Sequence, residues 1–216
     1  MRKIIYNKFD KRLINSLPQA SFPGRIIVVL SEHEAEKAVD FLLSQSVLGI
    51  DTETRPSFRK GNSNMVALLQ VSTHDSCFLF RLNHLGISAS IKRLLEDTST
   101  IKVGLSLHDD ILSLHRRSNF KPGNFIDLQN CMKELGVEDM SLQKLYANLF
   151  GEKISKRQQL SNWENDVLHD KQKMYAATDA WACLRLYEEF CRLKSEGNYE
   201  LFISEENTII HQETAN

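Results

Sequence analysis

The sequence predicts an α/β domain, and three observations carry that expectation. Apolar, strand-like runs alternate with helix-forming segments along most of the 216 residues. Two of those runs, separated by the turn-like "HDS", have the pattern of an antiparallel hairpin. With 42% hydrophobic and 25% charged residues, the chain has the composition of one globular domain with a sizeable core.

A polar leader over residues 1–23 precedes a strand in "RIIVVL", Arg25 to Leu30. Ser31 and Glu34 form the S-x-x-E pattern of a capping box, which opens a helix running to about Ser44. The next strand, "VLGIDTE", starts at Val47 and ends in acids. "RPSFRKGNSN" carries Pro, Gly, Ser and Asn and reads as a loop. "MVALLQVST" and "CFLFRL" are the hairpin strands, and "SASIKRLLED" is a helix leading to the strand "IKVGLS". A helix begins near "LHDDILSLHRR", followed by the short strand "FIDL". Three helices close the pattern: "LQNCMKELG", "SLQKLYANLFG" and the long "DKQKMYAATDAWACLRLYEEFCRLK", rich in good helix formers. Residues 24–195 are therefore the expected domain. Residues 196–216, with five glutamates and no lysine or arginine, are expected to fray.

Composition also excludes several classes. Cys77, Cys131, Cys183 and Cys191 are too scattered for a paired metal knuckle or a disulfide framework and read as reduced core thiols. The charged N-terminus has no apolar signal core, and no run of about 18 apolar residues exists to span a membrane. A cytoplasmic protein without a membrane partner is expected. The seven histidines show no H-x-x-x-H spacing, which leaves a zinc-hydrolase reading without support. A net charge of -1 is neutral evidence on nucleic acid, because local basic patches or acid-held cations can bind phosphates.

Four acids and a tyrosine stand out by position. Asp51 and Glu53, two residues apart at the end of a buried strand, project to the same face. Asp110 follows the strand "IKVGLS" in the first turn of a helix. Asp179 interrupts a small, apolar helical stretch, and Tyr175 lies one turn before it on the same face. Each has a structural alternative. Asp109 and Asp110 suit a helix N-terminus, Asp51 and Glu53 suit a strand end, and Asp179 suits an ion pair with a lysine or arginine. Convergence would change the balance. Carboxylates about 5 Å apart repel by roughly 3 kcal/mol at an effective dielectric of 20, and no single basic residue balances four of them. A pair of divalent cations does. Oxygen-only ligands favour Mg²⁺ or Mn²⁺ over Zn²⁺, and two such ions serve in-line displacement at phosphorus.

"GIDTET", "VGLSLHDDILSL" and "MYAATDAWA" resemble the three motifs of the DEDD (DnaQ-like) 3'-5' exonucleases, in the version with Tyr in the third motif. The resemblance extends from about Gly24 to Leu193, includes "VALLQVS" and "LSNW", and is nearest to the Werner-syndrome exonuclease domain and the ribonuclease D catalytic domain. It implies an RNase H-like mixed sheet of five to six strands flanked by helices. It also implies roles. Asp51, Glu53 and Asp179 would hold the ion that activates water; Asp51 would bridge to a second ion that Asp110 supports; Tyr175 would orient the water, with Glu53 also contacting it. Thr52, Leu112 and Arg157 are the substrate-binding candidates. Leu112 stands where near relatives carry a base-stacking aromatic, so stacking would be weaker or supplied elsewhere, with Phe58 as the candidate.

Three basic clusters are candidates to follow a phosphate backbone: Arg55, Arg59 and Lys60; Arg116, Arg117 and Lys121; Lys153, Lys156 and Arg157. Each also suits a solvated face. Asp127 reads as a helix N-cap and Trp163 as packing. The expected activity is metal-dependent 3'-5' exonuclease action on nucleic acid with a free 3' end, DNA slightly preferred. The alternatives are ribonuclease D-like RNA trimming and a non-catalytic nuclease-fold binding module. A helicase or other targeting partner would act in trans.

Overall fold

The computed structural model describes residues 2–57 and 64–203. In chain order the elements are β1 (Lys3–Tyr6), α1 (Lys11–Ile14), β2 (Arg25–Val29), α2 (Glu32–Leu42), β3 (Val47–Thr54), β4 (Val66–Ser72), β5 (Ser76–Arg81), α3 (Leu82–Leu85), α4 (Ala89–Glu96), β6 (Ile101–Gly104), α5 (Leu107–His115), β7 (Phe125–Asp127), α6 (Leu128–Glu134), α7 (Leu142–Phe150), α8 (Asp170–Glu196) and β8 (Tyr199–Phe202).

Six strands form one mixed sheet in the order β2-β5-β4-β3-β6-β7. The expected hairpin is present, with β4 antiparallel to both β3 and β5, while β2–β5, β3–β6 and β6–β7 run parallel. The α/β alternation is as the sequence pattern predicts, and the sheet is mixed and helix-flanked as the resemblance implies. The two faces bury separate cores. Alternation along β3 sends Leu48 and Ile50 to the face covered by α2, α4 and α5. Gly49, Asp51 and Glu53 face α8 on the other side, where Leu68, Leu79, Trp163 and the alanines of α8 pack together.

Small residues set how closely α8 approaches. A Cβ built on Gly49 would fall 1.9 Å from the carbonyl oxygen of Ala180, so only glycine lets the helix lie this near β3. Ala176, Ala177, Ala180 and Ala182 are all fully buried. The S-x-x-E box opens α2 as expected: Ser31 Oγ accepts from the Glu34 amide at 3.3 Å, and Glu34 Oε2 accepts from the Ser31 amide at 3.0 Å.

The chain ends differ from the sequence expectation. Within the polar leader and the acidic tail, β1 and β8 pair in parallel, Lys3 opposite Tyr199 through Tyr6 opposite Phe202. Ile5 is fully buried in the α8-side core, and Leu201 packs against the same core. Asn148 of α7 clamps β1, accepting from the Tyr6 amide at 2.9 Å and donating to its carbonyl at 2.7 Å. The tail is thus paired as far as Phe202, because two inward apolar side chains and a shared ladder outweigh the surrounding charge. The short α3 is a further addition, at the end of the run read as a strand.

Candidate active site

The C-terminal half of β3 carries Asp51 and Glu53 to the sheet face that α8 covers, and α8 presents Tyr175 and Asp179 one turn apart toward them. Carboxylate oxygens of Asp51, Glu53 and Asp179 all lie within 4.8 Å of one another. These three line a cleft of about 340 Å³ together with Thr52, Tyr175 and Lys156. Asp110 stands beside this trio. Its Oδ1 accepts from Thr52 Oγ1 at 2.6 Å, which ties α5 to β3. Asp109 is exposed at the same helix end, whereas Asp110 is half-buried.

The aim of Asp110 depends on an unusual turn. Ser106, the residue before α5, has φ 61°, the left-handed region that costs a side-chain-bearing residue about 1–2 kcal/mol. Asp127 holds the turn: its carboxylate accepts from the amides of Ser106 at 3.2 Å and Leu107 at 2.9 Å, and also from Gln129 at 2.9 Å. The expected N-cap role of Asp127 on α6 is present. Its second role, capping α5, is added by the pairing of β6 with β7.

Electrostatics follow from crowding acids in a dry place. Burial, then the Asp110 and Asp179 charges, push the Asp51 carboxyl well above its ordinary range. Burial, then the Asp51, Asp179 and Asp110 charges, raise Glu53 to about 10. Asp179 rises to about 7 through burial, opposed by a hydrogen bond from Tyr175 and by the Lys156 charge. Asp110 rises to about 6 through burial, opposed by the Thr52 hydrogen bond. The Tyr175 phenol is pushed upward by burial and the adjacent carboxylates, so it stays a proton donor. Among the described residues no lysine or arginine forms an ion pair with any of the four acids, which removes the ion-pair alternative for Asp179. Oxygen-only donors, mutually repelling and buried, are a donor set suited to hard divalent cations.

Other predicted residues are placed as follows. Trp163 is fully buried with its ring 6.0 Å from that of Tyr175, a packing role. Leu112 is 53% exposed on α5, two residues after Asp110. Arg157 is exposed and lines an adjoining cleft rather than the acidic one; Lys156, next to it, is the cation in the acidic cleft. Arg55 pairs with Glu164 at 3.1 Å, and Arg116 and Arg117 donate to the carbonyls of Asn64 and Val66, so these cations brace the chain around β4. Phe58, Arg59 and Lys60 lie outside the described residues. Cys183, one turn beyond Asp179, lines the acidic cleft too, and the i, i+4 spacing was the available signal for it.

A mixed, helix-flanked sheet with acids converging on one of its inner strands fits the 3'-5' exonuclease class that the sequence resembles. A family model described as 3'-5' exonuclease matches residues 26–193, and the chain belongs to that family. It is 31% identical over 191 residues to the bifunctional 3'-5' exonuclease/ATP-dependent helicase WRN of Mus musculus, covering 84% of this chain and 14% of that protein. A 3'-5' exonuclease of Arabidopsis thaliana is 30% identical over 189 residues, covering 80% of this chain and 66% of the relative. The crystal structure of Escherichia coli RNase D superposes with a TM-score of 0.67 at 19% identity, covering 81% of this chain and 51% of that one, a likeness of fold. The chain therefore spans from about a seventh to two thirds of the curated relatives named here. No helix among the described residues is long and apolar enough to cross a membrane.

Proposed function

We propose that this chain hydrolyses phosphodiester bonds one nucleotide at a time from the 3' end of nucleic acid, with DNA slightly preferred over RNA. The observation that carries the reading is the convergence of Asp51, Glu53 and Asp179 within 4.8 Å beside Tyr175. Asp51, Glu53 and Asp179 would hold one divalent cation, and Asp51 with Asp110 a second. Mg²⁺ or Mn²⁺ there supplies Lewis acidity, making water a nucleophile near neutral pH and countering charge at phosphorus.

The chain's own groups do the rest. Tyr175 donates from a phenol that burial keeps protonated, and Glu53 accepts, so the two fix the orientation of an attacking water. Thr52 holds Asp110 in place. Leu112 offers an exposed apolar side chain to the terminal base, and Arg157 a cation to a phosphate. No protein nucleophile is needed. A cytoplasmic location accords with four free cysteines, of which Cys77, Cys131 and Cys183 are buried while Cys191, expected in the core, is exposed near the end of α8. A helicase or other targeting partner would join in trans.

Matched DNA and RNA strands, single and double, labelled at the 5' end and incubated with Mg²⁺ or Mn²⁺, test this. The expected result is a ladder receding from the 3' end, abolished by EDTA and by a blocked 3' terminus, with DNA degraded somewhat faster. Undiminished cleavage in EDTA would overturn the reading. Faster RNA degradation would shift it to ribonuclease D-like trimming.

A further inference from the structure

The catalytic cleft does not end at the acids. Lys156 and Gln143 line it and also line two adjoining clefts of about 290 and 430 Å³. The smaller runs past Ile14 and Asn15, at the end of α1, to Lys153 and Arg157. The larger opens between Lys11 and Lys144. The three clefts thus adjoin at Lys156 and Gln143, a row that starts at the carboxylates and has the N-terminal segment as its outer wall, here called the trough. Lys11, Asn15 and Gln19 precede the 26–193 span that the exonuclease family accounts for.

The trough is a built feature. Ile14 packs with Phe9 and Ala147 in a small core of its own, and Asp10 caps α1 by accepting from the Arg12 amide at 2.9 Å. Lys153 bonds the leader through its backbone on both sides, donating to the Pro18 carbonyl and accepting from the Ala20 amide, each at 2.9 Å. Its charge is unevenly balanced. Lys11, Lys153, Lys156 and Arg157 face it, and among the described residues none forms an ion pair with a carboxylate. The Lys153 ammonium donates to the Asn15 carbonyl, which orients it without neutralising it. The acids at the rim are already matched, Asp139 by Lys144 at 2.8 Å and Glu138 by Lys8 at 3.4 Å.

We propose that this trough seats the sugar-phosphate backbone of the substrate strand just upstream of the scissile bond, with the N-terminal segment as one wall. A polyanion is repelled by a bare acidic floor. Fixed cations beside that floor attract the strand and leave its terminal phosphodiester over the acids. The direction of the strand rests on the exonuclease reading above; the trough itself does not.

Binding of a fluorescent single strand of about twelve nucleotides, followed by anisotropy across salt concentrations without metal, tests the trough apart from cleavage. Lys11→Ala with Lys153→Ala should weaken binding and make the slope of log affinity against log salt shallower by about 1.4, two contacts at about 0.7 each. Lys11→Ala alone removes an exposed side chain with no partner, so it guards against a folding defect from Lys153; its expected change is about 0.7. Lys37→Ala, on α2 across the sheet, should leave the slope as in wild type. An unchanged slope in both trough variants of a protein that still degrades strands would overturn the trough and spare the exonuclease reading. A reduced slope in a protein that cleaves nothing would support the trough and overturn that reading.

Discussion

Tyr175 and Asp51 sit in one cleft and are expected to fail differently when replaced. In the proposed reaction the Tyr175 hydroxyl, which hydrogen-bonds Asp179, would aim the water, while Asp51 would supply a ligand oxygen from the carboxylate trio. One positioning hydrogen bond is worth about 2–4 kcal/mol in a barrier, so Tyr175→Phe should slow turnover about 10²-fold to 10³-fold with Mn²⁺ binding retained. Asp51→Ala should abolish both cleavage and tight metal binding, yet relieve repulsion and leave the metal-free fold at least as stable. Single-turnover cleavage with calorimetric metal titration separates the two, and wild-type rates in Tyr175→Phe would sink the role given to it. At this scale the acids were legible because their spacing alone fixes their faces, i to i+2 on β3 and i to i+4 on α8. The choice between Lys156 and Arg157 was not, since residues 155–159 follow neither period and local sequence gives no direction to a side chain there. The Ser106 turn was equally hidden, as its left-handed backbone depends on a carboxylate twenty-one residues away, at Asp127.

Elements bring these residues together only if α8 lies close to β3, and Gly49 sets that distance. A methyl group there would overlap the Ala180 carbonyl, one residue after Asp179. Overpacking of this kind costs about 1–3 kcal/mol, and a shift of about 1 Å at a catalytic group can cost about 10² in rate. Gly49→Ala is therefore expected to lower both the melting temperature and kcat, with weaker Mn²⁺ binding, although no side chain that touches metal or substrate is altered. Thermal denaturation and turnover on the same preparation check it; a fully active Gly49→Ala would show that the helix position is not decisive. The main strands and helices were readable because each is long enough to show its period, as in the capped α2 or the 27-residue α8. β1 and β8 were not. Each has four residues with charged neighbours, and what stabilises them is a parallel partner at the other end of the chain plus the buried Ile5. Pairing at that separation leaves no local pattern.

Across the whole molecule, the carboxylate cluster couples folding, protons and metal. In the unfolded chain its acids titrate near about 4. In the metal-free fold Asp110 titrates at about 6, Asp179 at about 7 and Glu53 at about 10, with Asp51 raised as well. Between the unfolded and folded values the native state holds more protons than the unfolded one, so stability falls as pH rises through that window. The pair of cations around Glu189 acts oppositely. Its pKa is lowered to about 2, through hydrogen bonds from Arg192 and Lys3, so its contribution is present above about pH 4 and lost only in stronger acid. Metal-free protein should therefore be most stable in mild acid, and its urea midpoint should fall steadily from about pH 5 to 8. Divalent cations bind the deprotonated acids, so saturating Mn²⁺ should flatten or reverse that slope and release protons near neutrality. Calorimetry of Mn²⁺ binding in buffers of different ionisation enthalpy counts those protons directly. A midpoint that rises with pH in the metal-free protein, or binding without proton release at pH 7, would mean that the four acids are already ionised and partnered without metal. The crowding of Asp51, Glu53 and Asp179 would then have a structural cause, and the catalytic reading of the cluster would lose its physical basis.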